Sequence, residues 1–319
     1  AFARLAAASL TARDAVVAGG AARAALERVS VQDACQPSPG TQKMAAFLRA
    51  VCDWEVPPDL GDTGAKLVNA LAVLSTSNEH TVLLDALTAL ARLDFRDEER
   101  LLPVLKHGLF ERLLFLLEQP SAEVCVAAAR AARKAAFDSV FGMQAFLLQE
   151  PALALRELLG REEPEAQREA CALLADVLAA GGPHLKEVAD AGCLPRLATL
   201  LREGPEEVKQ VAARGFASLS ASCPPQRLQA LVEEDAVAAA VALLEPEVPP
   251  QTVRPVLRFL EGVVIAGLYL QEQSGLHSNR FAETIRNCGG IEKCKVLGEM
   301  YGDRTVSART AAIIEALNG

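Results

Sequence analysis

Apolar stretches and polar turns alternate along this chain in a recurring block. Each block has a small residue and then a mostly apolar stretch that ends in Leu-Leu, with clear copies at 107–117, 150–159 and 191–201. A polar turn containing Gly or Pro follows each copy, and such residues stop helices. Longer helical patterns follow the turns, for example over 165–180 and 206–220. The pattern predicts a unit of short helix, glycine-bearing corner, medium helix, turn and long helix.

The block recurs at a regular distance, which predicts the fold. Its starts fall near residues 20, 64, 108, 150, 192, 235 and 289. Armadillo and HEAT repeats are about 40–47 residues long, and three helices per unit favour armadillo. We therefore predict an all-α protein, an armadillo-repeat right-handed α-solenoid of about seven repeats that forms a single domain over residues 1–319. The distance between the last two block starts is longer than the others. We predict that the additional residues form a loop over the polar segment Gln271–Asn279.

Composition agrees with close-packed helices and narrows the partners. The chain is 51% hydrophobic but only 4% aromatic, and its net charge is −9. Small apolar helix formers disfavour a β-sandwich. A globally acidic chain repels phosphate backbones, and no apolar run is long enough to cross a bilayer, so we expect neither nucleic acid nor membrane as a partner. The eight cysteines form no CxxC motif; Cys125 and Cys171 are predicted to be buried apolar residues in a reducing compartment.

The sequence contains no residue pattern typical of a catalytic site. The four histidines, His80, His107, His184 and His277, are far apart, and none is spaced from a cysteine as in a zinc site. No phosphate-binding loop occurs, and no nucleophile stands near a base in the pattern. We predict a non-enzymatic protein without cofactor or metal, in which His107 caps a helix or turns a corner.

Three segments carry a resemblance to a known family. Val51–Asp59 reads as a long helix that ends in a Pro-rich loop, Leu257–Gly262 precedes a long polar loop, and Ile285–Lys293 is followed by one closing helix, Ser307–Leu317. In this order and register the chain resembles the importin-α (karyopherin-α) family. The resemblance implies an adaptor that binds a protein or peptide in a concave groove, acts in nuclear protein import, and is both cytoplasmic and nuclear.

The same alignment of repeats predicts that the chain starts within a repeat. It places Phe2–Ser9 and then Leu10–Ala18 at the end of a long third helix, so the first repeat is incomplete. We expect the chain to be a fragment that lacks an upstream basic segment; the alternative is that the solenoid has no cap at this end. In the resembling family that segment would engage an importin-β-type carrier.

The resemblance also implies which residues line the groove. In importin-α, Trp and Asn four positions apart on third helices form a ladder, because residues i and i+4 share a helix face. The Trp rings hold Lys and Arg stems through cation–π contact. Here that ladder is lost, and the only Trp, Trp54, is predicted in a turn. The residues predicted to line the partner-binding groove are Ala46, Ala50, Thr88, Arg92, Arg130, Lys134, Ala172, Asp176, Arg214, Ser218, Arg258 and Glu261.

The predicted inner face is basic, which changes the expected ligand. It carries Arg4, Arg92, Arg130, Lys134, Arg214 and Arg258. We hypothesise that it binds an acidic or phosphorylated segment through bidentate guanidinium groups. The alternative is that these are solvated charges paired with neighbouring Glu and Asp. Two other functions stay open: a scaffold subunit of a larger assembly that binds no classical nuclear-localisation signal, and a chaperone cofactor that grips a folded partner.

Overall fold

A computed structural model shows a helical chain. It describes residues 4, 8, 10–18, 20–27, 29–53, 64–274, 278–301 and 303–318, and no strand occurs among them. The chain divides into two compact units, Ala1–Ala154 and Leu155–Gly319. The single-domain assignment therefore stays a prediction. Trp54, His277 and most of the predicted helix Phe2–Ser9 lie outside the described residues.

The first unit is built from successive helices whose longer members pack on one another. Its helices are α1 (Leu10–Ala18), α2 (Ala21–Leu26), α3 (Val31–Cys35), α4 (Pro39–Cys52), α5 (Gly64–Leu74), α6 (His80–Leu90), α7 (Glu98–Lys106), α8 (Leu109–Leu117), α9 (Ala122–Phe137) and α10 (Val140–Leu147). Helix α4 packs on α6, and α6 packs on α9. Leu48, Leu87 and Phe146 are fully buried in this core.

The second unit repeats the same arrangement after α11, which crosses the boundary between the units. Its helices are α11 (Ala152–Leu159), α12 (Pro164–Ala180), α13 (His184–Asp190), α14 (Cys193–Glu203), α15 (Glu206–Ser222), α16 (Pro225–Leu231), α17 (Glu234–Ala242), α18 (Pro250–Ser274), α19 (Arg280–Asn287), α20 (Gly290–Met300) and α21 (Arg304–Asn318). The long helices α12, α15, α18 and α21 pack in succession. The long helices predicted over 165–180 and 206–220 are confirmed, each within two residues.

Backbone geometry confirms four of the predicted corners, whereas the predicted starts at Gly64 and Asp235 lie within helices. Gly20, Gly108, Gly192 and Gly289 each precede a medium helix and have φ between 59° and 80°. This left-handed conformation costs glycine little because it has no Cβ. At the equivalent corner before α11 the chain has Glu150 instead, with φ of 52°. Glu150 is therefore the place where the repeat pattern and the local residue preference disagree.

The long polar insertion differs from its prediction. Residues 271–274 continue α18 instead of forming a loop, and Asn279 is the buried N-cap of α19. Its Nδ2 donates to the carbonyl of Val264 at 3.0 Å, and its Oδ1 accepts from the backbone N–H groups of Phe281 and Ala282 at 3.2 Å. One side chain thus caps α19 and ties it to α18. Gly267 allows this approach, since a Cβ there would overlap the Asn279 side chain.

Candidate functional site

A groove of about 1250 Å³ runs along the second unit. Four third helices line it, each through one face. Helix α15 contributes Glu207, Gln210, Val211, Arg214, Ala217 and Ser218, whose spacing of three and four residues places them on one side of the helix. Residues of the other three helices complete the lining; they are Pro164, Glu165 and Arg168 of α12, Gln251, Arg254, Pro255 and Arg258 of α18, and Thr305 and Arg309 of α21.

The groove is basic although the chain as a whole is acidic. Five arginines and two glutamates line it, whereas the whole chain has a net charge of −9. Clefts lined by one sign of charge focus the field and attract the opposite sign. The groove lining therefore carries more positive than negative side chains.

Three of these arginines are held by carboxylates. Arg168 lies 2.6 Å from the buried Glu169. Arg254 Nε donates to Asp303 at 2.9 Å, and this bond lowers the pKa of the Asp303 carboxyl. Arg309 is bonded to Glu261. The pairs of Arg254 and Arg309 join α18 to the α21 region, whereas Arg168 and Glu169 are neighbours on α12, and all three pairs partly neutralise the groove wall.

The other two arginines, Arg214 and Arg258, have no such partner. Neither makes a side-chain hydrogen bond or ion pair within the part of the chain that the structure describes, and both are exposed. They occupy equivalent positions on α15 and α18, and these helices approach closely at Gly262. A Cβ on Gly262 would lie 2.7 Å from that of Ser220. The groove therefore presents two free guanidinium groups on adjacent helices.

The structure places three of the predicted groove residues of this unit together on the groove wall. Arg214, Ser218 and Arg258 line the groove, and Glu261 contacts it indirectly through Arg309. Asp176 is half-buried on α12. Ala172 is buried with 4% exposure and is not among the described residues that line this groove, so its place in the binding site stays a prediction.

The predicted groove residues of the first unit form a less basic set. On α4, Ala46 is exposed and Ala50 half-buried, and Thr88 on α6 is half-buried. Arg92 was expected on a third helix, but α6 ends at Leu90, so this side chain extends from a turn.

Charge pairing explains why the first unit is less basic. Arg92 lies 3.5 Å from Asp53 there, and Lys134 donates to Asp138 at 3.0 Å. Arg130 is half-buried on α9, and Arg4 is exposed. Pairing of these cations with neighbouring carboxylates, the alternative weighed from the sequence, thus holds for Arg92 and Lys134 but not for Arg214 and Arg258.

Sequence reasoning missed three groove arginines. Arg254 lies four residues before Arg258 on the same helix face, a spacing that could have revealed it. Arg168 lies near the start of its helix, one turn before the positions that the ladder register selects. Arg309 belongs to the closing helix, which that register did not include. The wall therefore has more arginines than predicted, and each of the three additional ones is paired with a carboxylate.

The cysteines and histidines agree with structural roles. Six cysteines are buried and all eight are free; burial raises the pKa of Cys171 to about 12 and that of Cys193 to about 11. His107 ends α7 as its C-cap, as predicted, and its Nε2 lies 2.7 Å from Asn69 Oδ1. Within the described residues no group of His, Cys, Asp and Glu could hold a metal ion. None of the described helices has the length and apolar character needed to cross a bilayer.

Comparison with known proteins identifies the repeat. Residues 183–221 match the family model for the Armadillo/beta-catenin-like repeat. This segment covers α13, the corner at Gly192, α14 and most of α15, so one three-helix unit accounts for the match. A comparison with curated proteins finds no match.

Solved structures extend the similarity to the whole fold. A designed armadillo repeat protein, YIII(Dq)4CqI, has a TM-score of 0.66 and 20% identity, over 79% of this chain and 100% of that chain. A designed armadillo repeat protein in complex with the peptide (KR)4 has the same TM-score and identity, over 79% and 99% of the two chains. An engineered protein has a TM-score of 0.64 and 20% identity, over 100% and 93%. The predicted armadillo-repeat solenoid fold is thereby confirmed.

Proposed function

We propose that this chain is a non-enzymatic binding protein whose groove holds an extended, acidic segment of a partner protein. The observation that carries the proposal is the presence of two exposed, unpartnered arginines on adjacent third helices, Arg214 and Arg258. Their guanidinium groups suit bidentate recognition of carboxylate or phosphate. A phosphorylated serine or a run of Asp and Glu would both supply that chemistry.

A similar structure supports the idea of a peptide ligand and shows the contrast in charge. That designed armadillo repeat protein holds the basic peptide (KR)4. In this chain five arginines line the corresponding kind of groove, so a basic peptide would bring like charges together. The fold thus supports peptide binding, and the groove arginines support a preference for a negatively charged peptide over a positively charged one.

The resemblance to importin-α supports a specific context for this binding. It favours an adaptor in nuclear protein import that moves between cytoplasm and nucleus and engages an importin-β-type carrier. The arginine-lined groove favours cargo with an acidic segment over a classical basic signal. A tagged protein that stays in one compartment, and a carrier that does not bind it, would contradict this role.

The lost Trp and Asn ladder favours a second candidate, a scaffold subunit that kept the fold and changed the groove. Such a subunit would hold its partner permanently. Purification from cells distinguishes the two, because a scaffold stays in a complex of fixed composition while an adaptor releases its cargo.

Peptide binding tests the shared proposal. Fluorescence anisotropy is measured with matched peptides of equal length that are rich in Glu, rich in Lys, or neutral. We expect the Glu-rich peptide to bind best, and the double variant R214E/R258E to weaken it by at least about tenfold, since each charged hydrogen bond contributes about 1.5–3 kcal/mol. Arg202→Glu is the matched control, since that exposed arginine lies off the groove beside Glu203. Preferential binding of the Lys-rich peptide would refute the proposal.

A further inference from the structure

One face of α18 extends beyond the groove and changes character along its length. This face carries Arg254, Arg258, Ile265 and Tyr269. Their spacings of four, seven and four residues are close to whole helical turns, so the four side chains lie within an arc of about 60° around the helix axis. The two arginines line the groove. Ile265 is 56% exposed and Tyr269 is 43% exposed, although α18 buries Val263, Val264 and Leu270 on its other faces.

The length of α18 explains why this apolar pair has no cover from its neighbour. Helix α18 has 25 residues, whereas α15, which packs against it, has 17. Since Gly262 lies against Ser220, near the end of α15, the last turns of α18 extend past that helix. With a rise of about 1.5 Å per residue, Ile265 lies about 10 Å and Tyr269 about 16 Å along the axis from Arg258.

We propose that Ile265 and Tyr269 form an apolar subsite that continues the groove and takes a bulky apolar side chain of the same acidic segment. This inference rests on the proposed function. An extended chain advances about 3.3 Å per residue. For a ligand that leaves the groove at Arg258 and then follows α18, this places the apolar anchor, such as Phe or Leu, three to five residues from the acidic residue that contacts Arg258.

Charge along the face fixes the side of the apolar anchor on which the ligand is acidic. The face is basic at Arg254 and Arg258, apolar at Ile265 and Tyr269, and acidic at the exposed Glu272. An acidic residue beyond the apolar anchor would meet Glu272, so the acidic residues lie on the arginine side only. A second copy of this chain is the weaker occupant, because two side chains offer far less than the roughly 800 Å² per partner of a stable interface.

Four peptides and three proteins test the subsite by fluorescence anisotropy. The peptides are an acidic one with Phe four residues from the last Glu, the same with Ala for Phe, and neutral versions of both. The proteins are the unchanged chain, the double variant I265A/Y269A and the control Met300→Ala, which removes a 60% exposed apolar side chain on α20. All three substituted positions are exposed, and circular dichroism checks that each variant folds.

We expect the unchanged protein to bind the acidic Phe peptide about tenfold more tightly than the acidic Ala peptide. The double variant should lose that difference and keep its affinity for the acidic Ala peptide, while Met300→Ala changes neither. Equal binding of the two acidic peptides to the unchanged protein would overturn the subsite and leave the proposed function intact. Failure of both acidic peptides to bind would overturn the proposed function and the subsite together.

Discussion

At the scale of single residues, the corners show how local preference and repeat pattern combine. Four corners have glycine in the left-handed region, and the corner before α11 has Glu150 in the same conformation. Non-glycine residues in this region incur a steric cost of about 1–2 kcal/mol. Glu150 nevertheless adopts this conformation, in a turn where its N–H donates to the carbonyl of Leu147 at 3.1 Å.

Replacement of this residue tests the cost. Glu150→Gly should raise the free energy of unfolding by about 0.5–1 kcal/mol, because relief of strain exceeds the entropy that glycine loses on folding. Glu157→Gly, an exposed site inside α11, should lower it by about 1 kcal/mol. Urea denaturation followed by circular dichroism measures both. The same sign of change for the two variants would contradict the assignment of strain to this corner.

Thiol reactivity provides a second test at the residue scale. Cys35 and Cys288 are exposed, whereas burial raises the pKa of Cys52 to about 12 and that of Cys294 to about 11. The thiolate is the reactive form, so at pH 8 the buried thiols stay protonated and shielded. We expect iodoacetamide to modify Cys35 and Cys288 in the folded protein and all eight cysteines after unfolding. Mass spectrometry of the digested protein identifies the modified cysteines. Early labelling of Cys171 would be inconsistent with its burial.

At the scale of elements, the groove depends on how closely third helices pack. Where α15 meets α18, Gly262 and Ser220 leave no room for another methyl group. The importin-α ladder, in the register that the sequence resemblance suggests, would place an amide side chain at position 262, and the close packing here leaves no room for one. The close approach instead brings the faces with Arg214 and Arg258 side by side.

A double-variant cycle tests this contact. Gly262→Ala removes a helix-destabilising glycine, but the added Cβ would lie 2.7 Å from that of Ser220, so the helices must separate. We expect a net loss of about 1–2 kcal/mol, since overpacking outweighs helix propensity. Ser220→Gly in the same protein should recover much of the loss. Thermal denaturation of the two single variants and the double variant gives the coupling free energy between positions 220 and 262. Additive effects would show that the two residues do not interact.

At the scale of the whole molecule, charge distribution matters more than net charge. The chain has a net charge of −9, yet the groove of the second unit has three more positive than negative side chains. Screening at about 0.1 M salt limits interactions between exposed charges to about 10 Å. A ligand in the groove therefore responds mainly to the arginines beside it.

Salt dependence tests this view. The affinity for a Glu-rich peptide should fall several-fold between 50 and 500 mM NaCl, because added ions screen the guanidinium–carboxylate attraction. The R214E/R258E variant should show a flatter dependence. Anisotropy titrations at four salt concentrations measure both slopes. An affinity that rises with salt would indicate that apolar contacts or repulsion from the acidic remainder dominate.

The sequence by itself determined the repeat unit. Its small apolar residues, Leu-Leu endings, polar turns and corner glycines such as Gly108 and Gly192 act locally, within one or two helical turns, so they predict helices and their order. The long third helices and the armadillo fold follow from them. The sequence also pointed to Arg214 and Arg258, since both recur at matching positions of successive repeats.

Only the tertiary structure decided which charges are free. Arg92 and Lys134 resemble Arg214 and Arg258 in the sequence, but Asp53 and Asp138 lie beside them in space. It also decided that Ala172 is buried, that Asn279 joins α19 to α18, and that Ile265 and Tyr269 stay exposed. These properties depend on contacts between neighbouring helices, and a residue pattern within one helix does not specify how far the next helix extends or which carboxylates it brings near.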